Sequence, residues 1–411
     1  MKRSSGRPSG ARTRRAALIR QTERFAARNY APLPVVITRA EGVWAWDTEG
    51  RRYLDCLSAY SAVSHGHRHP GILRALADQT GRVTLTSRAF HNDRMGAFLA
   101  RLCAMCRMGA ALPMNTGVEA VETAIKLVRK WGYRRKGVER DRAQIIACRN
   151  NFHGRTTTVV GFSSEPRYRD DFGPYSEGFR LIDFGDADQL AAAMTPDTVA
   201  FLVEPIQAEA GVIIPPDGYL TAARRLCSEA NVLFVLDEIQ TGLGRTGKLF
   251  GHLHEADAEP DVMVLGKALG GGVYPVSAVL ASTDIMDVIR PGDHGSTFGG
   301  NPLGAAVALA ALEILEAEAL PERARELGGY LLRRLRALRS RRIREIRGRG
   351  LLIGVELAGD AGPARDVALR LLDLGVLTKD THERVIRLAP PLVIDAQQLD
   401  WLVEQLRTAL D

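Results

Sequence analysis

Short apolar runs alternate with amphipathic segments through the middle of the chain. AQIIACR, TVAFLVEPI, NVLFVLDE and DVMVLG are mostly apolar, which predicts buried strands. TAIKLVRKWGY and YLTAARRLCSEA repeat apolar residues at helical spacing, which predicts amphipathic helices. Continuous apolar strands separated by amphipathic helices are typical of a parallel sheet that helices cover on both faces. The sequence therefore indicates an α/β fold.

The pattern changes after FGGNPLG, near residue 306. AAVALAALEILEAEAL, PERARELGGYLLRRLRALRS, DVALRLLDLGVLTK and AQQLDWLVEQLRTAL predict helices there, and IREIRGRGLLIGVEL predicts a turn followed by a strand. Toward the N-terminus, GVWAWDTEGRRYLDCLS predicts a hairpin that turns at residues 48–50. We therefore predict a large domain over 71–305, a smaller α+β domain over 306–411, and a segment, 21–70, that packs with the smaller domain.

The net charge of +7 arises at the N-terminus. Residues 1–20 hold seven basic side chains and no acidic one, so the rest of the chain is neutral, with 48 basic and 48 acidic residues. This composition predicts a disordered basic tail over residues 1–20. Without interleaved aromatic residues the tail does not predict a nucleic-acid partner. The chain has no run of about 18 apolar residues, so we expect no membrane span and no membrane partner.

Cysteine and histidine patterns do not predict a disulfide framework or a metal site. Five scattered cysteines, an odd number, favour a reducing compartment. We expect a cytoplasmic protein, or a mitochondrial-matrix protein if the basic N-terminus is a transit peptide. Cys103 and Cys106 share a helix face without a second cysteine pair, and HGHRHP lacks a carboxylate or cysteine cluster beside it, so we expect no bound metal.

Two glycine-rich stretches resemble nucleotide-binding motifs. GLGRTG, at 242–247, follows a predicted strand but no clear helix opens after it, and LGKALGGG lacks the serine or threonine and the first glycine of a phosphate-binding loop. A nicotinamide-dependent dehydrogenase is the alternative that GLGRTG supports. A nucleic-acid-binding protein without catalytic activity is the alternative that the basic tail supports.

A lysine and an acid stand at the ends of two predicted strands. Lys267 follows the apolar run VMVL and precedes a run of glycines. A lysine whose pKa is lowered by burial can attach to a carbonyl cofactor, although a surface lysine in a flexible loop would have the same pattern. Asp237 ends the run NVLFVL, 30 residues earlier. A single acid at this place can hold a protonated ring nitrogen, or it can simply cap the next segment.

A predicted helix start supplies a third part of the site. In PMNTGVEAVETAIKLVRKWG, Thr116 and Glu119 fit a capping box. The N–H groups of Gly117 and Val118 would then point out of the helix N-terminus, where phosphate binds well. Alone, each feature has a plain structural explanation. Together, a phosphate site, a strand-end acid and a strand-end lysine predict a pocket for pyridoxal phosphate.

From about residue 29 to residue 394 the chain resembles the class III, or ω-amino acid, aminotransferases. The matching motifs, in the family's order, are NYAPLPVV, SAYSAVSHGHRHP, TLTSRAFHND, LPMNTGVEAVETAIKLVRKWGY, NFHGRT, VEPIQAEAGV, LDEIQTGLGRTG, LGKALGGGVYPVSAVL, HGSTFGGNPLG and IRLAPPLVI. The resemblance implies the fold-type I architecture of pyridoxal-phosphate enzymes, in which a mostly parallel seven-stranded sheet lies between helices. It also implies a homodimer with the active site at the subunit interface.

The resemblance assigns cofactor roles to eight residues. Lys267 forms the covalent link to the cofactor and then moves the proton between cofactor and substrate carbons, and Asp237 holds the pyridinium nitrogen. Gln240 contacts the ring hydroxyl, and Phe152 stacks on the ring. The implied phosphate contacts are the backbone of Gly117 and Val118, Ser296, and Thr297 reaching in from the other subunit.

The substrate residues of the family also have matches. Tyr30 and Arg155 match residues that hold the α-amino and α-carboxylate groups of ornithine, and Tyr60 matches a tyrosine that favours ornithine over γ-aminobutyrate. Arg387 would bind the α-carboxylate of 2-oxoglutarate or glutamate. Glu209 would neutralise Arg387 when the other substrate is bound, because an unpaired buried guanidinium is costly.

These matches predict a transamination of arginine and proline metabolism. The δ-amino group of ornithine would pass to 2-oxoglutarate, giving glutamate and glutamate 5-semialdehyde, which cyclises to pyrroline-5-carboxylate. Acetylornithine, lysine, diaminobutyrate and γ-aminobutyrate are the alternative amino donors. Two positions depart from the family pattern: Ala208 replaces a glycine beside Glu209, and His153 stands where some members carry tryptophan.

Overall fold

The computed structural model describes residues 9–411. Its helices are α1 (Ser9–Phe25), α2 (Ser58–Ser61), α3 (Pro70–Thr80), α4 (Met95–Cys106), α5 (Gly117–Trp131), α6 (Thr157–Gly161), α7 (Pro166–Arg169), α8 (Ala187–Ala193), α9 (Tyr219–Glu229), α10 (Thr283–Met286), α11 (Pro302–Ala317), α12 (Leu320–Arg336), α13 (Ala364–Leu374) and α14 (Ala396–Leu410). Its strands are β1 (Ile37–Glu41), β2 (Trp44–Asp47), β3 (Arg52–Asp55), β4 (Ala110–Met114), β5 (Gln144–Cys148), β6 (Phe179–Ile182), β7 (Thr198–Val203), β8 (Leu233–Asp237), β9 (Val262–Leu265), β10 (Ser277–Ala281), β11 (Ile343–Arg349), β12 (Leu352–Leu357), β13 (Val376–Leu377), β14 (Lys379–Thr381) and β15 (Val385–Leu388). A π-helical turn, Gly132–Lys136, follows α5, and 3-10 turns occupy Gly251–His254 and Lys267–Gly270.

The largest sheet has seven strands in the order β4-β10-β9-β8-β7-β5-β6. Its pairs are parallel from β9 to β6, whereas β10 runs antiparallel to both of its neighbours. Every residue of β7, β8 and β9 is buried, which explains their continuous apolar runs. The predicted α/β fold with a mostly parallel seven-stranded sheet is confirmed.

Alternate side chains of the central strands pack against helices on two faces. On one face, Val235 of β8 lies in a cluster with Ala124 of α5. On the other face, Phe234 and Leu236 pack with Leu220 of α9. This alternation follows from the period of two in a strand, and it leaves only the strand ends open to polar residues.

Two four-stranded sheets complete the fold. One has the order β11-β12-β15-β14 and is antiparallel throughout; the other has the order β1-β2-β3-β13, in which β13 pairs in parallel with β3. The hairpin predicted around residues 48–50 is present as β2 and β3. IREIRGRGLLIGVEL, predicted as a turn and one strand, contains two strands, β11 and β12, because Gly350, with a φ of 55°, turns the chain between them.

The N-terminal region differs from the predicted disordered tail. Residues 9–20 belong to α1, and Ala16, Ala17 and Leu18 within it are good helix formers despite the basic residues around them. Residues 1–8 lie outside the described residues. Among the described helices, none is long and apolar enough to cross a membrane. The domain limits at residues 71 and 306 stay predictions.

Candidate active site

Two strand ends and a helix start meet at the carboxyl edge of the central sheet. β8 ends at Asp237, and Lys267 follows the end of the neighbouring parallel strand β9. The start of α5 lies against them, since a Cβ on Gly266 would be 3.5 Å from the Cα of Gly117. Together they border a cavity of about 200 Å³ lined by Gly117, Val118, Phe152, His153, Gly154, Glu204, Ile206, Asp237, Ile239, Gln240, Thr241 and Lys267. The structure therefore brings six of the eight predicted cofactor residues to one cavity.

Lys267 occupies a strained position beside this cavity. Its φ is 45°, in the left-handed region that residues other than glycine rarely adopt. Desolvation lowers the pKa of its amine, while the carboxylates of Glu209 and Asp237 act in the opposite direction. A lowered pKa increases the neutral fraction of the amine, so the side chain is suited to act as a nucleophile.

Asp237 is held by a histidine that the sequence analysis noted only as a departure from the family pattern. Its Oδ2 lies 2.7 Å from Nδ1 of His153, and both side chains are buried. Its Oδ1 accepts the N–H of Ile239 at 3.1 Å. A carboxylate in this position requires the hydrogen on Nδ1 of the histidine, which fixes the orientation of both groups.

A second buried acid, Glu204, was missed by the sequence analysis. It follows β7, and its Oε2 accepts the N–H of Phe152 at 3.0 Å. Burial, followed by the charge of Asp237, raises the pKa of Glu204 well above its ordinary value. The signal was available in TVAFLVE, because an acid directly after a continuous apolar strand is the same pattern that identified Asp237.

The start of α5 has the predicted capping box. Thr116 Oγ1 accepts the N–H of Glu119 at 3.4 Å, and Glu119 Oε2 accepts the N–H of Thr116 at 2.8 Å. Ser296 lies beside this helix start, since its hydroxyl oxygen accepts a hydrogen bond from Asn115 Nδ2 at 2.9 Å. Thr297 is exposed in the described chain and lines neither this cavity nor the adjoining one.

Arg387 and Glu209 form a buried ion pair next to the cavity. Arg387 Nη1 lies 2.5 Å from Glu209 Oε1, which also accepts a hydrogen bond from Gln240 Nε2 at 3.3 Å. The side chain of Arg387 is only 1% exposed. Burial alone would raise the pKa of Glu209, but Arg387 and Lys267 outweigh it and lower that pKa to about 2. The predicted pairing of Glu209 with Arg387 is thus present in the structure.

Tyr60 reaches this pair from an unusual backbone. The short helix α2 has positive φ values at all four of its residues, and at Tyr60 the φ and ψ angles are 60° and 42°. Left-handed helical backbone costs roughly 1–2 kcal/mol per residue. The ring centroid of Tyr60 lies 5.4 Å from the guanidinium carbon of Arg387 and the same distance from Lys379 Nζ.

The two other predicted substrate residues lie nearer the surface. The guanidinium of Arg155 stacks on Tyr168, 3.6 Å from the ring centroid, and lies 5.4 Å from the ring of Phe152, which lines the cavity. Tyr30 belongs to the irregular segment between α1 and β1, and it is 69% exposed. Within the described residues, Tyr30 lines neither cavity beside Lys267.

The histidines of HGHRHP each bond a different partner, and this explains their spacing without a metal. The bonded pairs are His65 with the Ala311 carbonyl, His67 with Asp55, and His69 with Glu318. Among residues 9–411, no group of three or more His, Cys, Asp or Glu is arranged to hold a metal ion.

The GLGRTG segment contains a buried arginine that is hydrogen-bonded to distant parts of the chain. Arg245 is fully buried, and its guanidinium donates to the carbonyls of Leu351 and Pro390 and to the hydroxyl of Ser64, at 3.1, 2.6 and 3.0 Å. A 3-10 turn follows the motif, at Gly251–His254, where a dinucleotide site would require a helix. The geometry of residues 242–247 therefore does not support the dehydrogenase alternative.

Comparison with known proteins identifies the family. Residues 25–410 match the aminotransferase class-III family. The chain belongs to this family, whose members are pyridoxal-phosphate-dependent enzymes.

Within this family, the chain is similar to aminotransferases that are named for ornithine or acetylornithine. Over 393 residues, the chain is 54% identical to ornithine aminotransferase of Brevibacillus brevis, covering 96% of this chain and 98% of that protein. The crystal structure of ornithine aminotransferase from Toxoplasma gondii ME49 superposes with a TM-score of 0.95 at 42% identity, covering 99% and 98% of the two chains. Acetylornithine aminotransferase from Elizabethkingia anophelis superposes with a TM-score of 0.87 at 44% identity, over 96% and 98%.

Proposed function

We propose that the protein transfers the δ-amino group of ornithine to 2-oxoglutarate, giving glutamate 5-semialdehyde and glutamate. The observation that carries this proposal is the ion pair of Arg387 with Glu209 beside Lys267. A site that receives a dicarboxylate in one half of the reaction and ornithine in the other needs a guanidinium that is free in the first case and neutralised in the second. The near full-length likeness to ornithine aminotransferases supports the same substrate pair.

The cavity beside Lys267 fits pyridoxal phosphate. It offers a lysine amine of lowered pKa, a carboxylate at Asp237 for a ring nitrogen, and the first N–H groups of α5 for a phosphate. Gln240 Oε1 is buried and has no hydrogen-bond partner among residues 9–411, so it is available to accept a hydrogen bond from a ring hydroxyl. When bound, this cofactor supplies an electron sink for carbon–hydrogen bond cleavage. The residues proposed to hold it are Gly117, Val118, Phe152, Asp237, Gln240, Lys267, Ser296 and, across a dimer interface, Thr297.

Three side chains would divide the proton chemistry. Lys267 would move a proton between the substrate carbon that carries the amino group and a carbon of the cofactor, a task that requires its neutral amine. Asp237 would remain a carboxylate and keep a proton on the ring nitrogen. His153 would keep Asp237 in place through the 2.7 Å contact with its Oδ2.

The substrate residues would act on the other side of the cavity. Arg155 would bind the α-carboxylate of ornithine and Tyr30 its α-amino group, and Tyr60 would favour ornithine over γ-aminobutyrate. Tyr30 and Thr297 are exposed in the single subunit, and a homodimer would bring such surface residues to an active site at the interface. Acetylornithine is a second candidate donor, because an acetylornithine aminotransferase shares 44% of its sequence with this chain.

A panel of amino donors tests this function. The purified protein, supplied with 2-oxoglutarate and ornithine, acetylornithine, lysine, diaminobutyrate or γ-aminobutyrate, should form glutamate fastest with ornithine, with matching release of pyrroline-5-carboxylate. Glutamate formed from acetylornithine at a higher rate would contradict the proposed donor but not the class of reaction. Arg155→Ala should weaken the use of ornithine, and an unchanged KM would contradict its assigned role.

A second comparison tests the lysine. Lys267→Ala should abolish turnover, because no other lysine among the described residues lines the cavity. Lys248→Ala is the matched control, since Lys248 is an exposed lysine in a glycine-containing turn. Normal turnover by the Lys267→Ala variant, or equal loss in the control, would show that Lys267 is not the cofactor lysine.

A further inference from the structure

The short helix α2, which carries Tyr60, has a positive φ angle at every residue. The φ angles of Ser58, Ala59, Tyr60 and Ser61 are 49°, 47°, 60° and 71°. None of the four is glycine, asparagine or aspartate, the residues that visit this conformation readily. Strained backbone of this kind persists only where the surrounding structure fixes it, and it concentrates at functional sites.

Asp55 holds the start of this turn. Its Oδ1 accepts the N–H groups of Leu57 and Ser58, each at 2.9 Å. Its Oδ2 lies 2.7 Å from Nε2 of His67, and the residue is only 5% exposed. His67 is itself fixed, because its backbone exchanges two hydrogen bonds with Gly42, of 3.0 and 2.7 Å. The carboxylate thus connects a rigid histidine on one side to the strained turn on the other.

The same turn is bound to the strand that carries Arg387. The Ser58 hydroxyl donates to the carbonyl of Ala389 at 2.7 Å, and the N–H of Ala389 donates to the carbonyl of Cys56 at 2.8 Å. Ala389 lies two residues after Arg387. The position of the turn therefore sets where the ring of Tyr60 stands relative to the guanidinium, now 5.4 Å away.

We propose that Asp55, oriented by His67, is a positioning residue that determines amino-donor specificity through Tyr60. The inference rests on the proposed function, in which the site uses ornithine. γ-Aminobutyrate presents an ω-amine and a carboxylate but lacks the α-amino group of ornithine. Because Tyr60 is proposed to favour ornithine over γ-aminobutyrate, a displaced Tyr60 should reduce that preference. The ratio of kcat/KM for ornithine to kcat/KM for γ-aminobutyrate, called the donor ratio below, therefore measures whether Tyr60 is correctly positioned.

The chain provides a matched control in Asp47. This residue is 4% exposed, its Oδ1 accepts the N–H groups of Glu49 and Arg51 at 2.8 and 2.9 Å, and its Oδ2 accepts the hydroxyl of Tyr53 at 2.7 Å. Asp47 therefore makes the same kind of contacts as Asp55, but it holds the β2–β3 turn and not α2.

The decisive experiment compares Asp55→Asn with Asp47→Asn in the cofactor-loaded enzyme. Asp55→Asn should lower the donor ratio about tenfold, the equivalent of losing ~1.4 kcal/mol of discrimination. Asp47→Asn should lower the thermal unfolding temperature but change the ratio less than about twofold. An unchanged ratio in Asp55→Asn, or an equal fall in both variants, overturns the proposal.

A double-mutant cycle separates a role through Tyr60 from general damage. In a Tyr60→Ala background, Asp55→Asn should have no further effect on the donor ratio, because the group on which it acts is gone. Full additivity of the two substitutions overturns the proposal. If the Asp55→Asn variant does not fold, His67→Gln is tested instead, and it should lower the donor ratio about threefold. An unchanged donor ratio in His67→Gln would then overturn the proposal. If the wild-type enzyme forms no pyrroline-5-carboxylate from ornithine, the proposed function is contradicted. This result differs from an unchanged donor ratio, which contradicts only the role of Asp55.

Discussion

The ion pair of Glu209 with Arg387 leads to a quantitative prediction for Glu209→Gln. Arg387 is 1% exposed, and its Nε and Nη2 atoms have no hydrogen-bond partner within the described chain, so Glu209 is its main source of compensation. Breaking a buried pair by removing one partner costs about 3–5 kcal/mol. The lowered pKa of Glu209, about 2 against an ordinary 4.5, corresponds to roughly 3 kcal/mol at ~1.4 kcal/mol per pH unit. We therefore expect Glu209→Gln to lower the free energy of unfolding of the cofactor-free protein by about 3 kcal/mol.

The pH dependence of this loss has a definite sign. Because the pKa of Glu209 is lower in the folded state than in the unfolded state, its contribution to stability is complete above about pH 4.5 and disappears as the pH falls toward 2. Urea unfolding of wild type and variant should therefore differ by a constant amount above about pH 5. The difference should shrink below that pH.

The same substitution should improve the binding of dicarboxylates. In the wild type, a ligand carboxylate must displace Glu209 from Arg387, whereas in the variant the guanidinium is free. Glutarate, an unreactive dicarboxylate, should bind to the cofactor-loaded variant about 10–100-fold more tightly by calorimetry. Single-turnover reaction with ornithine should slow by at least about tenfold, because the guanidinium then lies unpaired beside an apolar chain.

A second ion pair of the same length provides the control. Arg347 Nη1 lies 2.5 Å from Glu356 Oε2, in the β11–β12 hairpin, and both side chains are largely buried. Glu356→Gln should reduce stability without changing the affinity for glutarate. If Glu209→Gln bound glutarate no more tightly than wild type, or if Glu356→Gln tightened binding equally, the competition for Arg387 would be refuted.

Two further predictions concern the site and the core. His153→Phe removes the Nδ1–H group that holds Asp237, so we expect kcat to fall about tenfold and the pH profile of the visible absorbance to shift, whereas a purely structural role would leave that profile unchanged. Gly328→Ala places a Cβ 2.1 Å from the carbonyl oxygen of Gly350 and should cost about 3 kcal/mol in urea unfolding. Gly329→Ala, the next residue of the same helix, meets only a side-chain atom at 3.6 Å and should instead stabilise by up to about 1 kcal/mol; equal effects would contradict the packing argument.

The sequence predicted the central strands because burial on both faces leaves a continuous apolar run. This held for β7, β8 and β9, whose residues are all buried. It failed for β4 and β6, which are partly exposed, and for β10, whose SAVLA sequence contains residues of low strand propensity. The tail prediction failed for residues 9–20 because a charge count does not measure helix propensity.

The residues proposed to contact the cofactor were easier to predict from the sequence than the residues that hold them in place. Asp237 and Lys267 could be predicted because each ends an apolar strand, and α5 could be placed from its capping box. The contact of His153 with Asp237 joins residues 84 positions apart and has no local signal. The turn with positive φ values at Tyr60 was equally hidden, since it contains no glycine and is held partly by the contact of Ser58 with Ala389, 331 positions along the chain.

The parallel pairing of β3 with β13 has a consequence for protein synthesis. Leu54 pairs with Val376, and a ribosome that adds about 5–20 residues per second needs roughly 15–65 s to make the chain between them. During that wait β3 is an unpaired strand edge, which is an aggregation risk for a nascent chain. Arg387, which lies beside the cofactor cavity, follows Val376 along the chain, so the substrate side of the site can be completed only near the end of translation. Chaperones that shield the early hairpin should therefore raise the yield of active enzyme.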